Sequence, residues 1–253
     1  MSTPASAAQA KPEMRVNAPP LRHSLLVRAT HWITTLCFAA LLVTGVEILI
    51  SHPRLYWGET GNVLTKPLIS FPIPASRDTV PTGYGYVLPD QNGWSRYLHF
   101  QTAWALVLTG LLYAVYGLLS SHFRKNLLPR RTDLSWRAVW GVAAKHLRFK
   151  RAGAAEAWSY NVLQRLTYLL VAGLLFPLII WTGLAMSPAF ASVFPSAVSS
   201  LGGEQSARTI HFLVTVLLVL FLVVHIAMIC IAGFKARMLP MITGRGGPAL
   251  ERP

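Results

Sequence analysis

Four histidines of this chain lie in or beside long apolar runs: His31, His99, His211 and His225. Imidazole binds metals, carries protons and forms hydrogen bonds, and in hydrocarbon it is costly unless something binds it. Two of the four share one run, Thr209–Phe234, TIHFLVTVLLVLFLVVHIAMICIAGF, whose only other ionisable side chain is Cys230. They stand fourteen residues apart. In an α-helix that spacing puts them within roughly 40° of one face and about 21 Å apart along the axis. Such a helix offers one imidazole near each side of a bilayer.

The rest of the chain has the composition to build that bilayer setting. It is 253 residues long, 53% hydrophobic and only 13% charged, with a mean hydropathy of +0.44. Four apolar runs are long enough to span a membrane: 32–50, 98–119, 166–186 and 209–234. The expected fold is an all-α, integral membrane four-helix bundle. The net charge of +14 first suggests nucleic acid, but its distribution argues against that. Four spans put both termini and the 120–165 connection on one side, with eighteen of the 23 lysines and arginines. That asymmetry places both termini in the cytoplasm. The basic surplus then reads as topology and contact with anionic lipid. No nucleic-acid reader motif accompanies it.

Topology also sets the depth of each histidine. His31 enters the first span from the inside and His225 nears the inner end of the fourth. His99 and His211 open the second and fourth spans from the outside. They pair by leaflet, His31 with His225 and His99 with His211, each pair joining two helices. A planar iron porphyrin takes two axial imidazoles in this way. Two non-covalent b haems, one per leaflet, satisfy all four; neither cysteine sits in a C-x-x-C-H, so covalent c-type attachment is excluded. Arg28, Arg96 and Arg208 each precede a histidine by three residues, one turn nearer water, where they suit haem propionates. Simple anchoring of the helix ends accounts for each arginine nearly as well. Gly45, fourteen residues after His31, faces the level of the outer haem, and ordinary small-residue packing competes as its explanation. The rival to this whole constellation is a haem-free transporter, which would want acids beside the histidines; Glu47 is the only acid within a span.

The remaining segments are read as follows. Residues 1–20 are Ala/Pro/Ser-rich and expected to be disordered, and 238–253 form a cytoplasmic tail, leaving 21–237 as the membrane domain. The outer loop 51–97 is rich in proline and glycine, so little regular structure is expected. Its stretch His52–Glu59 suits an aromatic anchor at the membrane interface. Residues 134–149 space apolar side chains at helical intervals and read as a helix lying on the inner surface. Pro177 is expected to kink the third span. Glu47, His52 and Glu59 would suit an outer quinone site, offering a donor and a proton route. Within the spans a Thr-Gly pair recurs, at 44–45, 109–110 and 182–183.

Arg28-x-x-His31-Trp32, the single histidine opening the second span, and His211 with His225 resemble the bacterial cytochrome b561 and nickel-iron hydrogenase or formate dehydrogenase cytochrome b superfamily. The match covers roughly residues 21–237. The loop His52-Pro-Arg-Leu-Tyr-Trp-Gly-Glu59 is similar to thiosulfate-reductase-type cytochrome b subunits. The resemblance implies dihaem electron transfer between the quinone pool and a redox partner, a periplasmic molybdopterin oxidoreductase or cytochrome, and it leaves the oligomeric state open. The alternative within the superfamily is a stand-alone superoxide oxidase or ferric reductase, which the long outer loop disfavours.

Overall fold

The computed structural model of the chain describes residues 23–62, 64–73, 91–120, 123, 162–231 and 233–244. The surface helix expected over 134–149, the tail 1–20 and residues beyond 244 lie outside them.

The first span is helix α1, Leu25–Ser51. Ser24 caps it, its Oγ accepting from the Val27 N–H at 3.3 Å, which occupies one of the donors a helix start leaves unpaired. Two short strands follow, β1 (Arg54–Leu55) and β2 (Ile69–Ser70), paired antiparallel with Arg54 opposite Ser70. The second span is α2, Gln91–Leu119. The third is divided into α3 (Val162–Leu170), a π-helical turn (Val171–Leu175) and α4 (Phe176–Ala185). Two short helices, α5 (Pro188–Val193) and α6 (Pro195–Ser199), lead to the fourth span, α7 (Glu204–Ile231). Helix α8, Phe234–Thr243, closes the described chain.

Pro177 explains the division of the third span. It has no N–H to return to residue 173, and its ring crowds that turn in a regular helix. The wider turn just before it absorbs both effects, and the Phe176 N–H closes onto the Val171 carbonyl, one residue further back than in an α-helix.

Four of these stretches are long and apolar enough to cross a membrane: Leu25–Ser51, Trp94–Leu119, Arg165–Ala185 and Glu204–Ile231. Leu36, Val43, Leu108, Leu111, Val216 and Leu220 are exposed along them, the surface a lipid-facing bundle presents. The protein is an all-α membrane four-helix bundle. Helix α1 packs along α2, and α4 along α7. Val171, Leu175, Val214 and Leu218 form a core between the third and fourth spans, and Phe38 from α1 packs against it, joining the two pairs. Ala185, Ala197 and Ala207 draw α4, α6 and α7 together at the end that carries the 52–73 loop. Below, that end is the loop end; the opposite one, where the chain enters α1 and leaves α7, is the termini end.

Three expectations change. The fourth span was read through Phe234, but α7 stops at Ile231 and Gly233, at φ +97°, turns the chain into α8. Residues 238–244 are therefore not loose tail. Pro240 is fully buried, and the Met241 and Ile242 carbonyls accept from Trp32 Nε1 (3.1 Å) and Arg28 Nη1 (2.5 Å) of α1. Nor is His52–Glu59 only an interfacial anchor. Leu55 and Tyr56 are buried, and the backbone from Tyr56 to Gly58 docks onto the start of α7, while Trp57 alone stays exposed among the aromatics of that stretch.

Candidate functional site

At the loop end, α2 and α7 bring His99 and His211 together, their ring centroids 6.3 Å apart and their planes inclined at 59°. Each ring is held by a threonine from the neighbouring span. Thr44 Oγ1 of α1 lies 2.9 Å from His99 Nδ1, and Thr182 Oγ1 of α4 lies 2.9 Å from His211 Nδ1. Both hydroxyls point their hydrogens back along their own helices, Thr44 to the Ala40 carbonyl (2.8 Å) and Thr182 to the Leu178 carbonyl (2.8 Å). Thr44 is 1% exposed and Thr182 0%, so water does not compete for these groups. The glycine after each threonine lies against the same ring: a Cβ at Gly45 would stand 3.5 Å from His99 Cε1, and one at Gly183 3.5 Å from His211 Cε1.

At the termini end, His31 of α1 lies near enough to His225 of α7 for the two to interact electrostatically. His31 meets the edge of Trp32, with centroids 5.5 Å apart, and His225 stacks on Phe221 at 5.5 Å. Among the described residues no hydroxyl holds either ring. Arg28, one turn before His31, gives Nη1 to the Ile242 carbonyl, while its Nε is buried with no hydrogen-bond partner. At the loop end Arg208 is half-buried with Nη1 3.4 Å from Gln205 Oε1, and Arg96 is exposed.

These groups suit a planar, dianionic iron porphyrin. An iron held by two imidazole nitrogens at about 2 Å each leaves the ring centroids about 6 Å apart, the spacing of His99 and His211. The donors come in twos: among the described residues no three of His, Cys, Asp and Glu gather to hold a bare ion. A porphyrin supplies the remaining four nitrogens itself. The buried, unpartnered Nε of Arg28 is a donor in want of an anion, and a propionate is one.

The quinone candidates are spread out. Glu47 is half-buried near the loop end of α1, and His52 is exposed at its C-terminus. Glu59 is exposed and lines an open cleft of about 600 Å³ with Ala191, Pro195, Ser196, Val198 and Ser199; Glu47 and His52 do not line it. Thr44, Thr182 and Gly183 had no role in the sequence reading. Their signal was the Thr-Gly pair repeated in the spans, which carries no chemistry until the fold lays two of its three copies there on histidines.

One curated relative is the putative protein-methionine-sulfoxide reductase subunit YedZ1 of Azospira oryzae, 26% identical over 227 residues, covering 88% of this chain and 96% of the relative. The family model of prokaryotic cytochrome b561 matches residues 22–244, a span that takes in α8 as well as all four membrane helices. The chain belongs to the prokaryotic cytochrome b561 family.

Proposed function

We propose that this protein is a dihaem membrane cytochrome b that carries electrons across the bacterial inner membrane between the quinone pool and a redox enzyme on the periplasmic side. The family establishes a membrane cytochrome b with an electron-transfer role, and it implies b-type haem. The observation that carries the dihaem reading is the approach of His99 and His211 on separate helices at one end, with His31 near His225 at the other. When bound, haem supplies a reversible one-electron couple. In this reading His99 and His211 ligate iron at the loop end, and His31 and His225 at the termini end. Helix α7 holds one ligand of each pair, so the two levels stand about 21 Å apart along it. Arg28 would offer Nε to a propionate, and Arg96 and Arg208 would do so at the loop end.

The relative's name describes a subunit of a reductase, which supports a catalytic partner for this chain. Reduction of a sulfoxide to a thioether and water consumes two electrons and two protons, the number released when a quinol becomes a quinone. The loop His52–Glu59 favours a partner of the molybdopterin class. Its exposed side chains, His52, Arg54, Trp57 and Glu59, would form part of the docking surface.

Purification of the full chain from its native membrane tests this. Two haems per chain with a b-type reduced-minus-oxidised spectrum, and a copurifying oxidoreductase, are the expected results. A spectrum without a b-type band would end the reading. Turnover of superoxide or ferric iron by the isolated chain would replace it with the stand-alone enzyme.

A further inference from the structure

We infer that Thr44 and Thr182 are positioning residues that set the tautomer, orientation and donor strength of the two imidazoles at the loop end, and so the redox potential of the haem held there. The inference rests on the ligand assignment proposed above. A threonine hydroxyl has one hydrogen. Thr44 directs it to the Ala40 carbonyl at 2.8 Å, with Leu41 at 3.2 Å, and Thr182 to the Leu178 carbonyl at 2.8 Å, with Ile179 at 3.0 Å. The oxygen facing Nδ1 is thereby left as an acceptor. Nδ1 of His99 and of His211 must then carry the proton and donate it, at 2.9 Å in each case. Nε2 of both rings is left with its lone pair free for iron.

The arrangement occurs twice, in two helix pairs: α1 holds the histidine of α2, and α4 holds the histidine of α7. In both, a glycine follows the threonine, and the histidine Cε1 rests where a Cβ would touch it at 3.5 Å. Alanine fits at such a contact, whereas a longer side chain would push the ring off the hydroxyl. The third Thr-Gly pair within the spans is an internal control. Thr109 bonds back to Ala105 in the same way, at 2.7 Å, and Gly110 has nothing within 4 Å of a Cβ. Neither histidine at the termini end has such a hydroxyl among the described residues. A hydrogen bond from Nδ1–H to an acceptor raises the basicity of the ring and favours the more highly charged metal. The two ends of the protein therefore differ in how their ligands are tuned.

The test is redox titration and low-spin ferric electron paramagnetic resonance on the full chain, comparing Thr44→Val, Thr182→Val, the two serine variants and Thr109→Val. Expected is an upward shift in midpoint potential, with a moved resonance, confined to the haem component that His211→Ala abolishes. Serine at 44 or 182 should restore both readouts, and Thr109→Val should match the parent. Should one valine variant fail to fold, the other carries the same test from a different helix. Unchanged potential and resonance in a folded valine variant, or a shift that Thr109→Val reproduces, overturns the inference. Failure of the ligand assignment shows separately, as a parent protein without two haems or a His211→Ala protein that keeps both.

Discussion

Thr209 donates its hydroxyl to the Tyr56 carbonyl over 2.6 Å, tying the loop after α1 to α7 two residues before His211. The bond is one of a set. The Gly58 carbonyl accepts the N–H groups of Gln205 (3.0 Å) and Ser206 (3.2 Å), and Ser206 Oγ accepts the Gly58 N–H at 2.7 Å. A distant backbone carbonyl thus satisfies two of the donors that the first turn of α7 leaves free. Thr209 is 0% exposed, so Thr209→Val leaves the Tyr56 carbonyl short of its partner. The expected loss is about 1–3 kcal/mol. Thermal unfolding in detergent reads it as a lower midpoint, with Thr209→Ser close to the parent; equal midpoints for valine and parent would show that the bond carries no stability.

Gly203 and Gly58 make a paired comparison. Both have left-handed backbones, φ +115° and +102°, so a side chain at either one is strained. At Gly58 a Cβ meets nothing within 4 Å, and Gly58→Ala should cost about 1–3 kcal/mol from strain alone. At Gly203 a Cβ would collide with the Gly58 carbonyl oxygen, which cannot move without breaking its bonds to α7. Gly203→Ala should therefore destabilise more than Gly58→Ala and should open residues 54–59 to protease. The reverse order would mean that the loop does not dock as described.

His211→Ala and His225→Ala should each halve the haem content, measured as the pyridine complex per chain. In each variant one of two midpoint potentials should vanish and the other should stay. A single variant that empties both sites while the helical circular dichroism is unchanged would contradict two separate centres on α7.

Trp32→Phe keeps the ring contact with His31 and removes the indole N–H that bonds the Met241 carbonyl at 3.1 Å. Release of α8 should cost about 1 kcal/mol. It should appear as faster proteolysis between residues 233 and 244. Arg28→Ala removes the second tie, to Ile242, and should release α8 further. Protection of this segment equal to the parent in both variants would show that other contacts hold it.

The spans were legible in the sequence because hydropathy accumulates over some twenty residues, and the depth of each histidine was legible because helical rise is constant. Neither property depends on what a helix packs against. The Thr-Gly repeat was visible as letters, but its three copies within the spans look alike locally and all three threonines bond back to their own helix. Only packing distinguishes them, since α1 lies on α2 and α4 on α7 with Thr44 and Thr182 turned toward the histidines. The docking of α8 and the lock of the loop on α7 were not legible for a related reason. Their bonds join residues 214, 209 and 153 positions apart, between a carbonyl that any residue carries and a donor that could serve many acceptors. Sequence alone therefore determined a membrane protein of four spans, with the four histidines divided between the two ends of the bundle. Tertiary structure decided which neighbour holds each imidazole at the loop end, because orientation depends on contacts between helices and not on the order of residues along one.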